Sequence, residues 1–148
     1  MSFPYRPIRI LLVEDNQGDI VLIKKAFAEA NIYNDLYICR DGQDGLDFLQ
    51  HRGPYQTVPR PDLILLDINM PRLDGFELLR ILKNDPPLSS IPVVILTTSE
   101  SEEDILKGYQ LQVSSYIRKP VDFVEFQYAI QKIQDYWFSI VKFPNSTY

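Results

Sequence analysis

Residues 62–71 have the sequence DLILLDINMP, in which a short aliphatic run lies between Pro61 and Pro71. Four aliphatic residues in succession predict a strand that is buried on both faces, as in a parallel sheet covered by helices. The run ends in Asp67, and the proline that follows cannot continue a strand ladder. Asp67 is therefore predicted at the carboxyl end of a buried strand, which is the edge where open α/β sheets bind ligands.

The composition is that of an ordinary globular protein, with 148 residues, 45% hydrophobic and 24% charged. The net charge of -5 argues against nucleic acid as a partner. No apolar run approaches the ~20 residues of a membrane span, and the first residues do not resemble a secretory signal. We expect a single domain over residues 1–148, cytoplasmic and without a membrane partner, in which the lone Cys39 is a core residue rather than a catalytic thiol.

Outside residues 62–71, apolar runs alternate with segments that have helical periodicity. Strands are predicted at 8–13, 36–39, 62–67, 91–96 and 115–117, and helices at 17–30, 42–52, 75–84, 102–110 and 123–139. A strict alternation of this kind predicts an α/β protein with a parallel sheet and helices on both faces. The proline-rich segment 53–61 is predicted to be a loop.

Each predicted helix begins with a residue that can cap it and has an acid three positions later. The pairs are Asn16 and Asp19, Asp41 and Asp44, Asp74 and Glu77, Ser101 and Asp104, and Asp122 and Glu125. The first side chain can accept hydrogen bonds from the unpaired amides of the first turn, and the acid favours the positive helix end. This agreement supports all five predicted helix starts.

The carboxyl edge of such a sheet collects Glu14, Asp15, Asp67, Thr97 and Lys119. Carboxylates at ~4 Å repel by ~4 kcal/mol per pair at a surface-like dielectric, so the cluster requires a counter-charge. Mg²⁺ prefers oxygen ligands, a lysine can pair with a phosphoryl group, and a hydroxyl can donate to it. The combination predicts a site where an aspartate attacks phosphorus and becomes an acyl phosphate.

Each of these residues also has an ordinary structural interpretation. Glu14 and Asp15 could be helix-entry residues, Lys119 a solvated residue at a strand end, and Thr97 a β-branched strand residue. Their joint placement on four separate strand ends favours the functional interpretation.

Five motifs in this order resemble those of the receiver domain of two-component response regulators. They are Val13-Glu14-Asp15-Asn16, Leu66-Asp67-Ile68-Asn69-Met70-Pro71, Asp74-Gly75, Thr97-Thr98-Ser99, and Tyr116 followed by Lys119-Pro120. The resemblance covers about residues 8–138. It implies a flavodoxin-like doubly wound fold, with five helices around a parallel sheet in the strand order 2-1-3-4-5.

The resemblance also implies a role for each matching residue. Asp67 would accept a phosphoryl group from a histidine kinase. Asp15 and Asp67 would bind Mg²⁺ directly, Glu14 through water, and Asn69 with its backbone carbonyl. Lys119 would pair with the phosphoryl oxygens.

Two further residues, Thr97 and Tyr116, would form the conformational switch of a receiver, although Tyr116 could also be a strand aromatic that packs on a helix. Such a protein is not an enzyme beyond slow loss of its own phosphate. The signal would then pass through protein contacts.

The loop at 53–61 and the apolar C-terminal extension at 136–144 are similar to features of small stand-alone regulators of cyanobacterial phytochrome kinases. By that analogy we expect a phytochrome as kinase partner. We also expect a homodimer through the fourth helix, fifth strand, fifth helix and tail, although the tail could instead pack on its own domain.

Two other functions use similar residues. An aspartate-nucleophile phosphohydrolase would need a general acid two residues after Asp67, where Asn69 cannot transfer a proton. A receiver-like scaffold that is never phosphorylated would be expected to lack pocket residues, and none is missing here.

Overall fold

The structure of the chain is a computed structural model. It describes residues 6–30, 32–70, 72–97, 115–119, 122–132 and 135. The helix predicted at 102–110, the residues Thr98 and Ser99, and the apolar tail lie outside the described residues.

The strands form one parallel sheet in the order β2-β1-β3-β4-β5, which confirms the predicted topology. Their bounds are β1 Ile8–Val13, β2 Asn34–Cys39, β3 Leu63–Asp67, β4 Val93–Thr97 and β5 Ser115–Arg118. Every residue of β3 and β4 is buried. β2 lies at the edge and is only partly buried along most of its length, in agreement with its weaker apolar pattern.

Helices cover both faces of the sheet, because alternate strand residues point to opposite sides. The helices are α1 Gln17–Glu29, α2 Gly42–Leu49, α3 Gly75–Lys83 and a helix over residues 123–132. α1 and the helix at 123–132 pack on one face, where Phe27 and Phe126 meet edge to face at 5.6 Å. α2 and α3 pack on the other face, against β1, β3 and β4.

Four of the five predicted helix starts are confirmed. The side chains of Asn16, Asp41, Asp74 and Asp122 each accept a hydrogen bond from the backbone amide three residues later, at 2.8–2.9 Å. These bonds satisfy amides that the helix itself leaves without acceptors. The fifth predicted cap, Ser101, lies outside the described residues.

One prediction about the chain path was wrong, and one helical turn was not predicted. α2 ends at Leu49 rather than continuing to Arg52, because His51 has a left-handed backbone with φ of 57°. α3 ends at Lys83, in agreement with the predicted end at 84, but a further helical turn, Pro86–Ser89, follows it. Proline is accepted in the first turn of a helix, where no partner is needed for its missing amide, so it can begin a helix as well as end one.

The proline-rich segment 53–61 is an ordered connection. It begins with a 3₁₀ turn at Gly53–Tyr55, and Tyr55 packs against Phe48 with ring centroids 5.3 Å apart. Arg60 donates to the carbonyl of Pro87 at 3.2 Å and to the hydroxyl of Ser90 at 3.0 Å. Side chains of this segment therefore contact both α2 and the helical turn at Pro86–Ser89.

Two other expectations from the sequence concern Cys39 and membranes. Cys39 is buried, and burial raises the pKa of its thiol to about 11, in agreement with a core role. Among the described residues, no helix has both the length and the apolar character that crossing a bilayer requires.

Candidate functional site

The carboxyl ends of four strands bring the predicted site residues to one edge of the sheet. Glu14 follows β1, Asp67 ends β3, Thr97 ends β4 and Lys119 follows β5. The parallel register pairs Asp67 with Leu96 and Thr97 with Arg118, so these ends lie side by side. Glu14, Asp67 and Thr97 are at most 1% exposed. Asp15 is the solvent-exposed member of the acidic set.

The ammonium group of Lys119 lies at the centre of the acidic residues. Its Nζ is 3.1 Å from Oε1 of Glu14, 3.2 Å from Oδ2 of Asp19 and 3.4 Å from Oδ2 of Asp67. The Lys119 side chain is only 12% exposed. The structure therefore brings together three of the residues that the sequence singled out and adds Asp19 to them.

Each buried carboxylate has one oxygen engaged by a backbone amide. The amide of Asn16 donates to Oε2 of Glu14 at 3.0 Å, and the amide of Asn69 donates to Oδ1 of Asp67 at 3.1 Å. Oε1 of Glu14 and Oδ2 of Asp67 have no hydrogen-bond donor among the described residues, although both face the Lys119 ammonium. Three carboxylates face this one ammonium group, so a further cation would offset the cost of burying them.

The acidic set has the geometry of a cation site. One oxygen from each of Glu14, Asp15 and Asp67 can be chosen so that all three lie within 4.8 Å of one another. An all-oxygen donor set, two of its members buried and one open to solvent, suits a hard divalent ion such as Mg²⁺ that keeps several waters. The buried oxygens without a hydrogen-bond donor among the described residues and the donor chemistry both fit the predicted metal.

Burial has opposite effects on the two charged groups that face each other here. It raises the pKa of Asp67 to about 7, and the adjacent Glu14 adds to the shift, while Lys119 and the Asn69 amide oppose it. Burial alone would lower the pKa of Lys119, but the carboxylates of Asp67, Glu14 and Asp19 outweigh it and hold that pKa above its usual value. Lys119 therefore stays charged at neutral pH, and a further cation would favour ionised Asp67.

The connection from β3 to α3 is held close to the site by two glycines. A Cβ at Gly75 would lie 2.4 Å from the carbonyl oxygen of Asp67, and one at Gly42 would lie 1.7 Å from that of Leu73. Within the connection, Arg72 has a φ of 64° and its guanidinium pairs with Asp41 at 3.2 Å. Close backbone approach thus fixes the segment that carries Asn69.

The predicted switch residues lie on β4 and β5. Thr97 is fully buried, and its carbonyl accepts a 2.7 Å hydrogen bond from the amide of Lys119. Tyr116 pairs in register with Ile95 and is partly buried against the α2–α3 side of the core. Asn69, whose amide donates to Asp67, is exposed.

Asp19 is the site residue that sequence reasoning did not identify. From its position three residues after Asn16, only the role of an acid at a helix start was predicted for it. That role is confirmed, because its amide donates to the Asn16 cap. The available signal was its location in the first turn of a helix that begins directly after the acidic pair, which turns its side chain towards the same edge.

Comparisons with known proteins agree with this geometry. Residues 10–131 match the family model described as response regulator receiver domain. Response regulator Rcp1 of Synechocystis sp. is 41% identical over 138 residues, covering 93% of this chain and 94% of that protein. The structure of a phosphorylated cyanobacterial phytochrome response regulator, RcpA, superposes with a TM-score of 0.78 at 41% identity, covering 90% of this chain and 96% of that one.

A structure of the Mn²⁺-bound form of Rcp1 superposes with a TM-score of 0.77 at 42% identity, covering 88% of this chain and 94% of that one. That protein therefore holds a divalent cation on the same fold. With the family model matched over most of its length, the chain belongs to the response regulator receiver domain family, a class of signalling proteins.

Proposed function

We propose that this protein accepts a phosphoryl group on Asp67 from the phosphohistidine of a histidine kinase and signals through protein contacts. The observation that carries the proposal is the buried Asp67 carboxylate, whose Oδ2 lacks a hydrogen-bond donor among the described residues and lies 3.4 Å from Nζ of Lys119. A nucleophile that is buried beside a fixed cation is suited to a reaction in which negative charge moves onto an adjacent group.

In the proposed step, a lone pair of the Asp67 carboxylate forms a bond to phosphorus while the P–N bond to the imidazole breaks. The bonding electrons return to the imidazole nitrogen, which takes up a proton from solvent. Lys119 then pairs with the phosphoryl oxygens, and Thr97, one residue past the strand position opposite Asp67, donates its hydroxyl to one of them. The product is an acyl phosphate, and we propose that its slow hydrolysis is the only reaction of the protein beyond this transfer.

Glu14, Asp15 and Asp67 would hold Mg²⁺, with Asp15 and Asp67 bound directly, Glu14 through water, and the Asn69 backbone carbonyl as a further ligand. When bound, the ion neutralises the charge that accumulates between the carboxylates and the incoming phosphoryl oxygens. Asn69 has no acidic proton to donate to a leaving group, so the residues do not favour a phosphohydrolase.

The switch would follow from contacts that exist only when phosphate is present. Movement of the Thr97 hydroxyl towards the phosphoryl group would change the space beside β5. Tyr116, which is partly buried on the adjacent strand, would then turn inwards. The surface formed by β5 and the helix at 123–132 would carry the signal.

The relatives suggest which kind of kinase supplies the phosphoryl group. Rcp1 is named as a response regulator and RcpA as a cyanobacterial phytochrome response regulator, so we propose a phytochrome-type histidine kinase as the phosphoryl donor.

We also propose a homodimer through the fourth helix, fifth strand, fifth helix and tail. Among the described residues, Val124 and Tyr128 support it, because they lie one helical turn apart and are 65% and 71% exposed. Sedimentation of a Val124→Asp/Tyr128→Asp variant should show monomers, whereas Val21→Asp on α1 should leave the dimer unchanged. A wild-type protein that sediments as a monomer with and without phosphorylation would refute the dimer.

The phosphoryl-acceptor proposal is tested by incubating the protein with acetyl phosphate and Mg²⁺ and measuring intact mass. Wild type should gain one phosphoryl group that hydroxylamine removes, as expected of an acyl phosphate, and chelation of Mg²⁺ should prevent the gain. Asp67→Asn should gain nothing, while the matched control Asp35→Asn, at an exposed position on β2, should behave as wild type. Equal uptake by Asp67→Asn and wild type would exclude Asp67 as the acceptor.

A further inference from the structure

Asp19 is a carboxylate of the site that belongs to no proposed metal-ligand set. It lies in the first turn of α1, its side chain is 13% exposed, and its Oδ2 is 3.2 Å from Nζ of Lys119. The oxygens that can gather around a cation come from Glu14, Asp15 and Asp67, without Asp19. Among the described residues, the side chain of Asp19 therefore reaches the site through its contact with Lys119.

The ammonium group of Lys119 has three N–H donors, and three carboxylates surround it. A phosphoryl group on Asp67 brings new anionic oxygens that need the same donors. One of the existing contacts must then weaken. Glu14 and Asp67 lie on the sheet edge next to the new group, whereas Asp19 holds the lysine from the helix side.

We propose that Asp19 is a positioning residue, which holds the Lys119 ammonium towards α1 before phosphorylation and competes with the phosphoryl oxygens for it afterwards. The inference rests on the proposed function of Asp67. It predicts that Asp19 lowers the affinity of the site for a phosphoryl group, although the residue touches neither the phosphoryl group nor the metal. Asp19 would thereby set how readily the phosphorylated state forms.

A general charge effect must be separated from this specific one, because removing any nearby carboxylate favours anion binding. The two explanations differ in their dependence on Lys119. A general effect persists when the lysine is replaced, whereas competition for the ammonium group disappears. A double-mutant cycle measures that difference.

The probe is beryllofluoride, a tetrahedral mimic of the phosphoryl group, titrated calorimetrically at saturating Mg²⁺. Asp19→Asn should bind it roughly three- to tenfold more tightly than wild type, the range expected for loss of one partly buried ion-pair contact. In a Lys119→Gln background the same change should alter affinity by less than about twofold. Glu29→Gln, which removes one exposed acid at the other end of α1, is the matched control and should behave as wild type.

Hydrogen exchange of the Lys119 ammonium, followed by ¹⁵N NMR without beryllofluoride or Mg²⁺, gives an independent readout. Exchange should be faster in Asp19→Asn than in wild type and unchanged in Glu29→Gln. Equal exchange rates, or equal tightening with and without Lys119, would overturn the role of Asp19. If wild type fails to bind beryllofluoride, the acceptor proposal fails instead, and the exchange rates still decide whether Asp19 holds the lysine.

Discussion

The backbone of Gly75 lies directly against the backbone of Asp67. A Cβ at Gly75 would be 2.4 Å from the carbonyl oxygen of Asp67 and 2.6 Å from Cα of Ile68, while the amide of Gly75 donates to the Ile68 carbonyl at 3.0 Å. Helix α3 therefore begins in contact with the end of β3. The lack of a side chain at Gly75 keeps the candidate acceptor and its neighbours in place.

We expect Gly75→Ala to weaken cation binding at the acidic site. The added methyl group meets backbone atoms, which cannot rotate away, so the segment after Asp67 must shift and carry the Asn69 carbonyl with it. Misplacement of one Mg²⁺ ligand should reduce affinity by roughly tenfold, as is typical when the support of a metal ligand is lost. Titration with Mn²⁺, followed by electron paramagnetic resonance, measures it.

Gly18→Ala is the control for that substitution. Gly18 is exposed in the first turn of α1. The atom nearest to a Cβ added there is Oδ1 of Asn16, at 3.3 Å. Affinity in this variant should remain near the wild-type value. Unchanged Mn²⁺ affinity in Gly75→Ala would show that the close contact does not position the ligands.

The ionisation of Asp67 should make the protein less stable at neutral pH. Its pKa is about 7 in the folded protein and 3.8 for an unperturbed aspartate, so the folded state keeps a proton that the unfolded state has already lost. Stability contributed by this group is therefore full below pH ~4, falls as the pH rises to ~7 and is constant above that. The difference between these two pKa values corresponds to an effect on the order of 4 kcal/mol.

Asp67→Asn removes this titration. In chelator, urea unfolding at pH 8 should show the variant to be more stable than wild type by roughly 2–4 kcal/mol, and the difference should vanish near pH 4. Saturating Mg²⁺ should reduce the gain at pH 8, because the cation stabilises only the carboxylate form. The outcome that contradicts this account is a variant no more stable than wild type at pH 8, with Asp35→Asn measured in parallel.

The sequence predicted the sheet and the positions of the site residues because local signals and topology agreed. The short apolar runs at 62–67 and 91–96 predicted buried strands, which the structure has at Leu63–Asp67 and Val93–Thr97, and a parallel sheet places the carboxyl ends of its strands together. The capping residues predicted the helix starts well, since each cap depends only on contacts within one turn.

The parts that were missed depend on contacts between segments. The side chain of Asp19 and the ammonium of Lys119 meet across 100 residues of sequence, and no periodicity encodes that distance. The left-handed backbone at His51 ends α2 although the residue types allow a helix to continue, and the Tyr55 ring, which packs on Phe48, is fixed by tertiary contact. Tertiary packing decides such features over local preference.

Asp62 should matter more for stability than its ion-pair partner Arg6. The guanidinium of Arg6 donates twice to the Asp62 carboxylate at 2.7 Å, but Arg6 is 46% exposed, so Arg6→Ala should cost no more than ~1 kcal/mol. Asp62 also accepts from the amide of Arg9 at 2.8 Å. Asp62→Ala leaves that amide without its acceptor and should cost ~1–3 kcal/mol.

Urea unfolding of the two variants at low and high salt tests this ranking. The effect of Arg6→Ala should shrink at high salt, because exposed charges are screened, whereas the effect of Asp62→Ala should largely persist. Equal and fully salt-sensitive losses would mean that the ion pair, and not the hydrogen bond to the backbone, supplies the stability.

The helix at 123–132 should contribute to stability through one face only. Phe126 is fully buried and packs on Phe27, so Phe126→Ala removes aromatic contact and leaves a cavity, with an expected cost of ~3–5 kcal/mol. Tyr128 on the same helix is 71% exposed in the protomer, so in dilute, monomeric protein Tyr128→Ala should change stability by less than ~0.5 kcal/mol. Thermal unfolding of both variants, at a concentration where sedimentation shows monomers, makes the comparison, and similar losses in both would show that the Tyr128 side chain also stabilises the protomer.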